Sequence, residues 1–199
     1  MIEKKLMEPI VGTALLYPCC GNDLETPIRL FGSSVSDFFF VDIRRPKLPR
    51  NLRTFAVPAG PPVSTEIGTF LNIERDNRFQ IHRLTGRGED SFSGLPKIGV
   101  FFHRGDTLAD GEGSSGVPWL GREWLTRILG VLVPGGFLVT DGSNCPQDGP
   151  PELKEFYWNS KVGEAAASKA KPFNFLERNF SCIGYAGDRY GPTLIWRIT

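Results

Sequence analysis

Histidine and methionine are scarce in this chain of 199 residues, at two each, and neither sign of charge dominates: 23 lysines and arginines stand against 22 acids. A formal net charge of +1 gives no reason to expect nucleic acid or an anionic membrane as the main partner. Long apolar runs are missing too, since none approaches the roughly 20 residues that span a bilayer. The amino terminus, MIEKKLMEPIVGTALLY, has neither an extended apolar core nor a small-residue cleavage site, so no signal peptide is expected and the expected location is the cytoplasm. Cysteine is limited to four residues, with Cys19 and Cys20 adjacent and Cys145 and Cys182 isolated. Zinc knuckles need paired cysteines two residues apart, so the expectation is free thiols packed as small apolar groups, with no metal.

Two phosphate-binding signatures are also absent. No G-x-G-x-x-G occurs, and "GEGSSG" (Gly111 to Gly116) lacks the lysine and following Ser or Thr of a P-loop. What is present is an ordinary globular composition, 40% apolar and 23% charged, of a length that suits one domain over residues 1–199.

The order of elements is informative. "GTALLY" (Gly12 to Tyr17) is an apolar run suited to a strand buried on both faces. "NDLETPIRLFGSS" offers Asn22 or Asp23 as a helix cap, Pro27 in the first turn and Gly32 as the stop. "DFFFVDI" (Asp37 to Ile43) is a second buried strand, so strand, helix and strand form a β-α-β unit and a parallel pair. A proline-rich stretch with a basic cluster, Ile43 to Arg53, follows, with a short strand over Arg53–Val57. Glu66–Glu74 and Phe79–Leu84 then read as arms of a hairpin turned at "RDNR". Residues 44–84 are thus expected to be an insertion. Beyond it come a strand over Lys97–Asp106 and a helix carrying Trp119, Leu120, Trp124, Leu125, Ile128, Leu129 and Leu132 on one stripe and stopped by "PGG". A strand over Phe137–Asn144, helices near Glu152–Asn159 and Gly163–Ala170, and a terminal antiparallel hairpin around "GDRYGP" complete the chain. The pattern predicts an α/β fold: a mostly parallel sheet with helices on both faces and an antiparallel carboxyl-terminal edge.

In such sheets ligands sit beyond the carboxyl ends of the strands, where the strand order reverses, which singles out the turns after Tyr17, Asp42 and Phe102. In "PCCGND", Gly21 lets backbone approach a ligand, and Asp23 suits a cationic amino group or a helix cap. Asp42, about 20 residues on, can receive both hydroxyls of a ribose or else pair with Arg44. Asp90, in "RGED", suits an adenine amino group or an exposed loop. His103 titrates near neutrality and suits a general base, with Asp106 orienting it or binding substrate; alternatively His103 satisfies neighbouring backbone groups. "GEGSSG" reads as a lid or a plain loop, and "TDGSN" (Thr140 to Asn144) adds polar groups on the same side.

Taken in order, "LLYPCCGND", "FFFVDI", "GVFFHRGD" and "LGVLVPGGFLVTDGS" resemble class I S-adenosylmethionine-dependent methyltransferases. The helix ending in "LVPGG" before "FLVTD" is the most specific piece, and the two terminal β arms are similar to that family's reversed last strand. The resemblance runs from Thr13 onward apart from the insertion. It implies a Rossmann-like three-layer α/β/α sandwich and S-adenosylmethionine as cofactor, with Tyr17, Pro18, Cys19, Gly21 and Asp23 near its methionine part. It also implies Asp42 with Ile43 at the ribose, Asp90 near adenine, and His103 to Asp106 next to the transferred methyl. The chain departs from the family where Cys19 and Asp23 replace glycines and where an N-P-P-Y run is missing, leaving O-, C- or small-molecule N-methylation open for a small-molecule or protein acceptor. The alternatives are a domain of this fold that has lost catalysis and serves as a binding module, and another nucleotide-using α/β enzyme.

Overall fold

Ala14–Pro18 forms β1, buried at every position. The computed structural model describes residues 14–44, 46–47, 57–58, 63–65, 68–75, 79–106, 108, 114–154, 167–188 and 191–199. β1 lies between two parallel neighbours, β2 (Asp37–Asp42) and β7 (Ile98–His103). β6 (Gln80–Thr85) continues the parallel set beyond β2, and β8 (Leu132–Thr140) continues it beyond β7. The chain therefore builds outward from β1 on one side, then returns to build on the other, and the strand order reverses between β1 and β7. Runs such as FFFV and IGVFFH suit these positions because a strand covered on both faces needs no polar alternation.

Antiparallel strands extend both edges. β3 (Val57–Pro58), β4 (Val63–Thr65) and β5 (Gly68–Arg75) lie beyond β6, and β11 (Gly191–Ile198), β10 (Arg178–Asp188) and β9 (Phe173–Phe175) lie beyond β8. The expected terminal hairpin is β10 with β11; β9, which pairs with the start of β10, adds a strand not foreseen. The expected hairpin of residues 66–84 forms as β5 with β6. Its second arm also pairs parallel to β2 over the full length of that strand, so β6 is part of the central sheet. Of the short strand expected over residues 53–57, residues 53–56 lie outside the described residues, as do most of the basic cluster and parts of the helices expected near 152–159 and 163–170.

The helices are few. α1 (Glu25–Phe31) packs Leu24, Ile28 and Phe31 with Leu15, Tyr17, Phe38, Phe40, Val100 and Phe102. α2 (Arg122–Val131) packs Leu125 and Ile128 with Leu16, Val41, Phe101 and Leu138. Alternate residues of the same strands thus feed two separate cores, as the two-residue period of a strand requires. Trp119, Leu120 and Leu132 are buried as expected but flank α2 instead of belonging to it. Among the described residues no helix is long and apolar enough to cross a membrane.

The "PGG" run does not simply stop a helix. α2 ends at Val131, and Leu132 already pairs with Ile98 in β8. The register then jumps, with Phe137 opposite Val100, so residues 133–136 bulge out against the single Gly99. Gly136 fits there only without a side chain: a Cβ would lie 2.9 Å from Gly99 O, Leu132 Cγ and Val133 O. Two of these are backbone atoms. Gly136→Ala should therefore cost about 1–3 kcal/mol, read as a lower urea midpoint at constant slope; an unchanged midpoint would show that the bulge is not closely packed.

Candidate functional site

Three loops meet at the end of β2. Cys19 (φ 55°) and Gly21 (φ 54°) both take left-handed backbone, which turns the chain sharply after β1 and aims the Gly21 amide at Asp42. That amide donates to Asp42 Oδ2 at 2.8 Å, and the Arg44 amide donates to Oδ1 at 2.9 Å. From the turn after β6, the Gly86 amide donates to the Asp42 carbonyl at 3.0 Å, while the Cys20 amide reaches Val41 O at 3.2 Å. The expected convergence of Gly21 and Asp42 is thus present. Ile43, next along, is 71% exposed. Asp90 sits exposed in the single 3₁₀ turn Gly88–Phe92, with its carboxylate engaged in no contact described here.

The other face of the β1 loop is closed. A Cβ on Gly88 would lie 2.8 Å from Cys19 Sγ, 2.9 Å from Trp119 Cζ2 and 3.1 Å from Pro18 Cβ. Glycine at 88 is what allows the 3₁₀ turn to settle directly on Pro18 and Cys19. Burial, followed by the negative charge of Asp106, pushes the Cys19 thiol up to about 12. Burial likewise raises Cys20 and Cys182 and pushes Cys145 up to about 11. All four cysteines are free thiols.

Asp23 is neither a helix cap nor an open acceptor. The cap position of α1 is Leu24, without a side-chain hydrogen bond. Asn22, the other expected cap, accepts the Lys47 amide instead. The Asp23 carboxylate is taken by Arg104 Nε at 2.6 Å, and the Tyr17 hydroxyl lies 3.3 Å from the same oxygen. Tyr17 also donates to the Arg104 carbonyl at 3.2 Å. Burial first, then the Asp23 charge, raises the Tyr17 pKa well above its ordinary value, so the phenol stays a donor. Arg104 completes its set with Thr26 Oγ1 at 2.7 Å and Thr193 Oγ1 at 3.5 Å.

At the end of β7 the His103 ring is 0% exposed. Its Nε2 lies 3.7 Å from Asp106 Oδ2, and its ring faces Trp119 with centroids 6.2 Å apart. Asp106 collects donors from three directions: the Ser115 amide at 2.7 Å, Trp119 Nε1 at 3.2 Å and Asn144 Nδ2 at 2.9 Å, with the Ser115 hydroxyl making a close fourth contact. Burial alone would raise the pKa of this carboxyl; His103 and the Ser115 hydrogen bonds outweigh burial and hold it below the ordinary value. Asp141, at the end of β8, accepts the Gly105 amide at 2.8 Å and both the amide and hydroxyl of Ser143. Of "GEGSSG", residues 111–113 lie outside the described residues, and the Ser115 that follows is fastened to Asp106.

The structure therefore brings Tyr17, Pro18, Cys19, Gly21, Asp23 and Asp42 around one turn and His103 with Asp106 beside it, while Asp90 is exposed on the 3₁₀ turn whose Gly88 packs on Pro18 and Cys19. Sequence reasoning took Arg104 only as part of "HRGD", Ser115 as part of "GEGSSG", Trp119 as core and Asn144 as one polar group of "TDGSN", and did not foresee that Arg104 holds Asp23 or that the other three hold Asp106. Among the described residues no group of three or more His, Cys, Asp and Glu side chains is placed to hold a metal ion. A shallow depression of about 440 Å³ lies elsewhere, between α2 (Arg122, Leu129) and the β9–β10 turn (Leu176, Arg178), and shares no residue with this cluster. In comparison with known proteins, the chain matches no family model and no curated sequence.

Two outcomes follow from these environments. Thiols this far above neutrality are protonated at pH 8 and poor nucleophiles, so in the folded protein Cys19 should resist iodoacetamide and become reactive only in denaturant; rapid labelling of the native protein would contradict the packing against Gly88. The depressed Asp106 carboxyl stabilises the fold fully above its ordinary value of 3.8, and that contribution disappears as pH falls through the lower folded-state value. Asp106→Asn should then be less stable than wild type by about 2–3 kcal/mol at pH 7, with the gap narrowing below pH 4. A gap in melting temperature that stays constant into acid would show that the charge of Asp106 is not what its donors stabilise.

Proposed function

We propose that the chain is a cytoplasmic S-adenosylmethionine-dependent methyltransferase, built as a Rossmann-like three-layer sandwich and acting on a small-molecule or protein acceptor. The observation that carries this reading is the hydrogen bond from the Gly21 amide to the Asp42 carboxylate, which joins the first two strand-end loops. The parallel strands support it as well, since in chain order they lie 3-2-1-4-5, the arrangement of a doubly wound nucleotide-binding sheet.

The residues fit the nucleoside half of the cofactor. A carboxylate has about four acceptor positions, and two backbone amides occupy part of that capacity on the half-exposed Asp42, leaving room for ribose hydroxyls. Ile43 offers exposed apolar surface beside it for a base, and the space around Gly21 Cα is open. On this reading Tyr17, Pro18 and Cys19 back the methionine arm, and Asp90 is the acid nearest adenine. S-adenosylmethionine supplies a methyl group on a sulfonium centre. What the protein adds is placement of the acceptor and removal of its proton, the role assigned to His103 with Asp106.

A second reading, the catalytically silent module, is favoured by two observations: His103 is closed off from solvent, and Asp23 is consumed by Arg104. The two readings separate experimentally. With about 1 mM S-adenosylmethionine or S-adenosylhomocysteine the melting temperature should rise, and Asp42→Ala should remove that rise with the fold intact. No rise with either ligand would end the cofactor assignment. A rise without any S-adenosylhomocysteine produced on incubation with cellular small molecules and proteins would select the silent module.

A further inference from the structure

Both ring nitrogens of His103 lack a hydrogen-bond partner among the described residues, although the ring is wholly buried. Buried imidazole is normally satisfied, and an unpaired one calls for a physical reason. The polar atom next to it is Asp106 Oδ2, 3.7 Å from Nε2. The same oxygen receives the hydroxyl of Ser115, a residue only partly buried. A single carboxylate oxygen thus stands between a partly exposed residue, whose Oγ also accepts the Val117 amide at 3.1 Å, and an imidazole that is wholly buried.

We propose that Ser115, Asp106 and His103 form a proton path from the surface to the buried ring. A relay member must both accept and donate, and hydroxyl, carboxyl and imidazole all can. The other groups on Oδ2 cannot relay. Trp119 Nε1 is only a donor, and Asn144 is fixed with Nδ2 donating both to Asp106 and to the Val117 carbonyl at 2.9 Å. They hold the oxygen in place. Cys19, from the loop after β1, is a further titratable group facing this carboxylate among the described residues, and its thiol stays protonated. Asp141, from β8, is turned to Gly105 and Ser143.

The transfer balances. Ser115 Oγ takes a proton from an O–H or N–H at the surface while releasing its own to Asp106 Oδ2, and Oδ2 passes that proton to His103 Nε2. Ser115 is regenerated, and an imidazolium remains beside a carboxylate. The last step requires the 3.7 Å separation to shorten to about 3 Å. If the methyltransferase reading holds, on which this use of the path rests, the proton of an acceptor leaves through Ser115 and not by direct contact with His103.

The test uses the full ¹⁵N-labelled chain without added ligand. Solvent exchange of the His103 ring N–H is measured by NMR against that of the Trp119 indole N–H, which is equally buried and bonded to the same oxygen. The path predicts that Ser115→Ala slows His103 exchange by about tenfold or more while leaving Trp119, the control for local opening, unchanged, and that Ser115→Thr restores it. A folded Ser115→Ala with unaltered His103 exchange would overturn the proposal, as would a change of the same size in both rings, which would mean exchange by local opening. If Ser115→Ala does not fold, Ser115→Val set against Ser115→Thr, which has the same size and keeps the hydroxyl, decides in the same way. No cofactor enters the measurement, so its failure leaves the Asp42 assignment standing, and a missing thermal shift leaves the path standing.

Discussion

The guanidinium of Arg104 is the constraint around which the carboxyl end of the sheet is arranged. It leaves β7 and reaches Asp23 in the β1 loop, Thr26 in α1 and Thr193 in β11, while its own carbonyl receives the Tyr17 hydroxyl. A buried charge without a partner costs several kcal/mol, so this arrangement exists only when all of these elements are in place together. Arg104 thereby couples the loop after the first strand to one of the last strands of the chain. It also neutralises Asp23, which is why that acid is not available at the crevice.

The other strand-end acids work in a different way. Asp42, Asp106 and Asp141 each accept backbone amides: Gly21 and Arg44 for the first, Ser115 for the second, Gly105 and Ser143 for the third. Amides at the ends of parallel strands have no ladder partner, and a carboxylate that collects them fixes the following loop at little cost. An acid at the end of a strand is therefore ambiguous between fastening a loop and binding a ligand. What separates the two is spare acceptor capacity joined to exposure. Asp42 has both, whereas Asp106 has neither, with its Oδ2 already receiving an indole, an amide and a hydroxyl.

This ambiguity marks how far the sequence could be read. The parallel centre was legible because apolar runs such as LLY, FFFV and VFF leave no alternative to burial on both faces. The convergence of Gly21 on Asp42 was legible because a turn and an acid about 20 residues apart are a local β-α-β relation. The partner of Asp23 was not legible, since it stands 81 residues away and depends on which strand lies beside β1. The parallel pairing of β6 with β2 was not legible either, because polar residues of QIHRLT find partners on distant segments: His82 pairs with Asp37 at 2.8 Å and Arg83 with the Pro46 carbonyl at 2.8 Å. A polar residue with a buried partner looks, in sequence, the same as one in water.

His103 is the case in which burial bears on chemistry. A base that must touch its substrate has to be reachable, and this ring is not. A base served through Asp106 and Ser115 has no such requirement, and burial then helps it: with water excluded, the imidazolium and the carboxylate attract each other more strongly than they would at the surface. The closure that counts against direct contact is therefore the condition under which a relay holds a proton. The same packing that seals the ring, Trp119 against Cys19 and Gly88, ties the relay to the loop after β1. Whatever shifts that loop also alters the surroundings of Asp106.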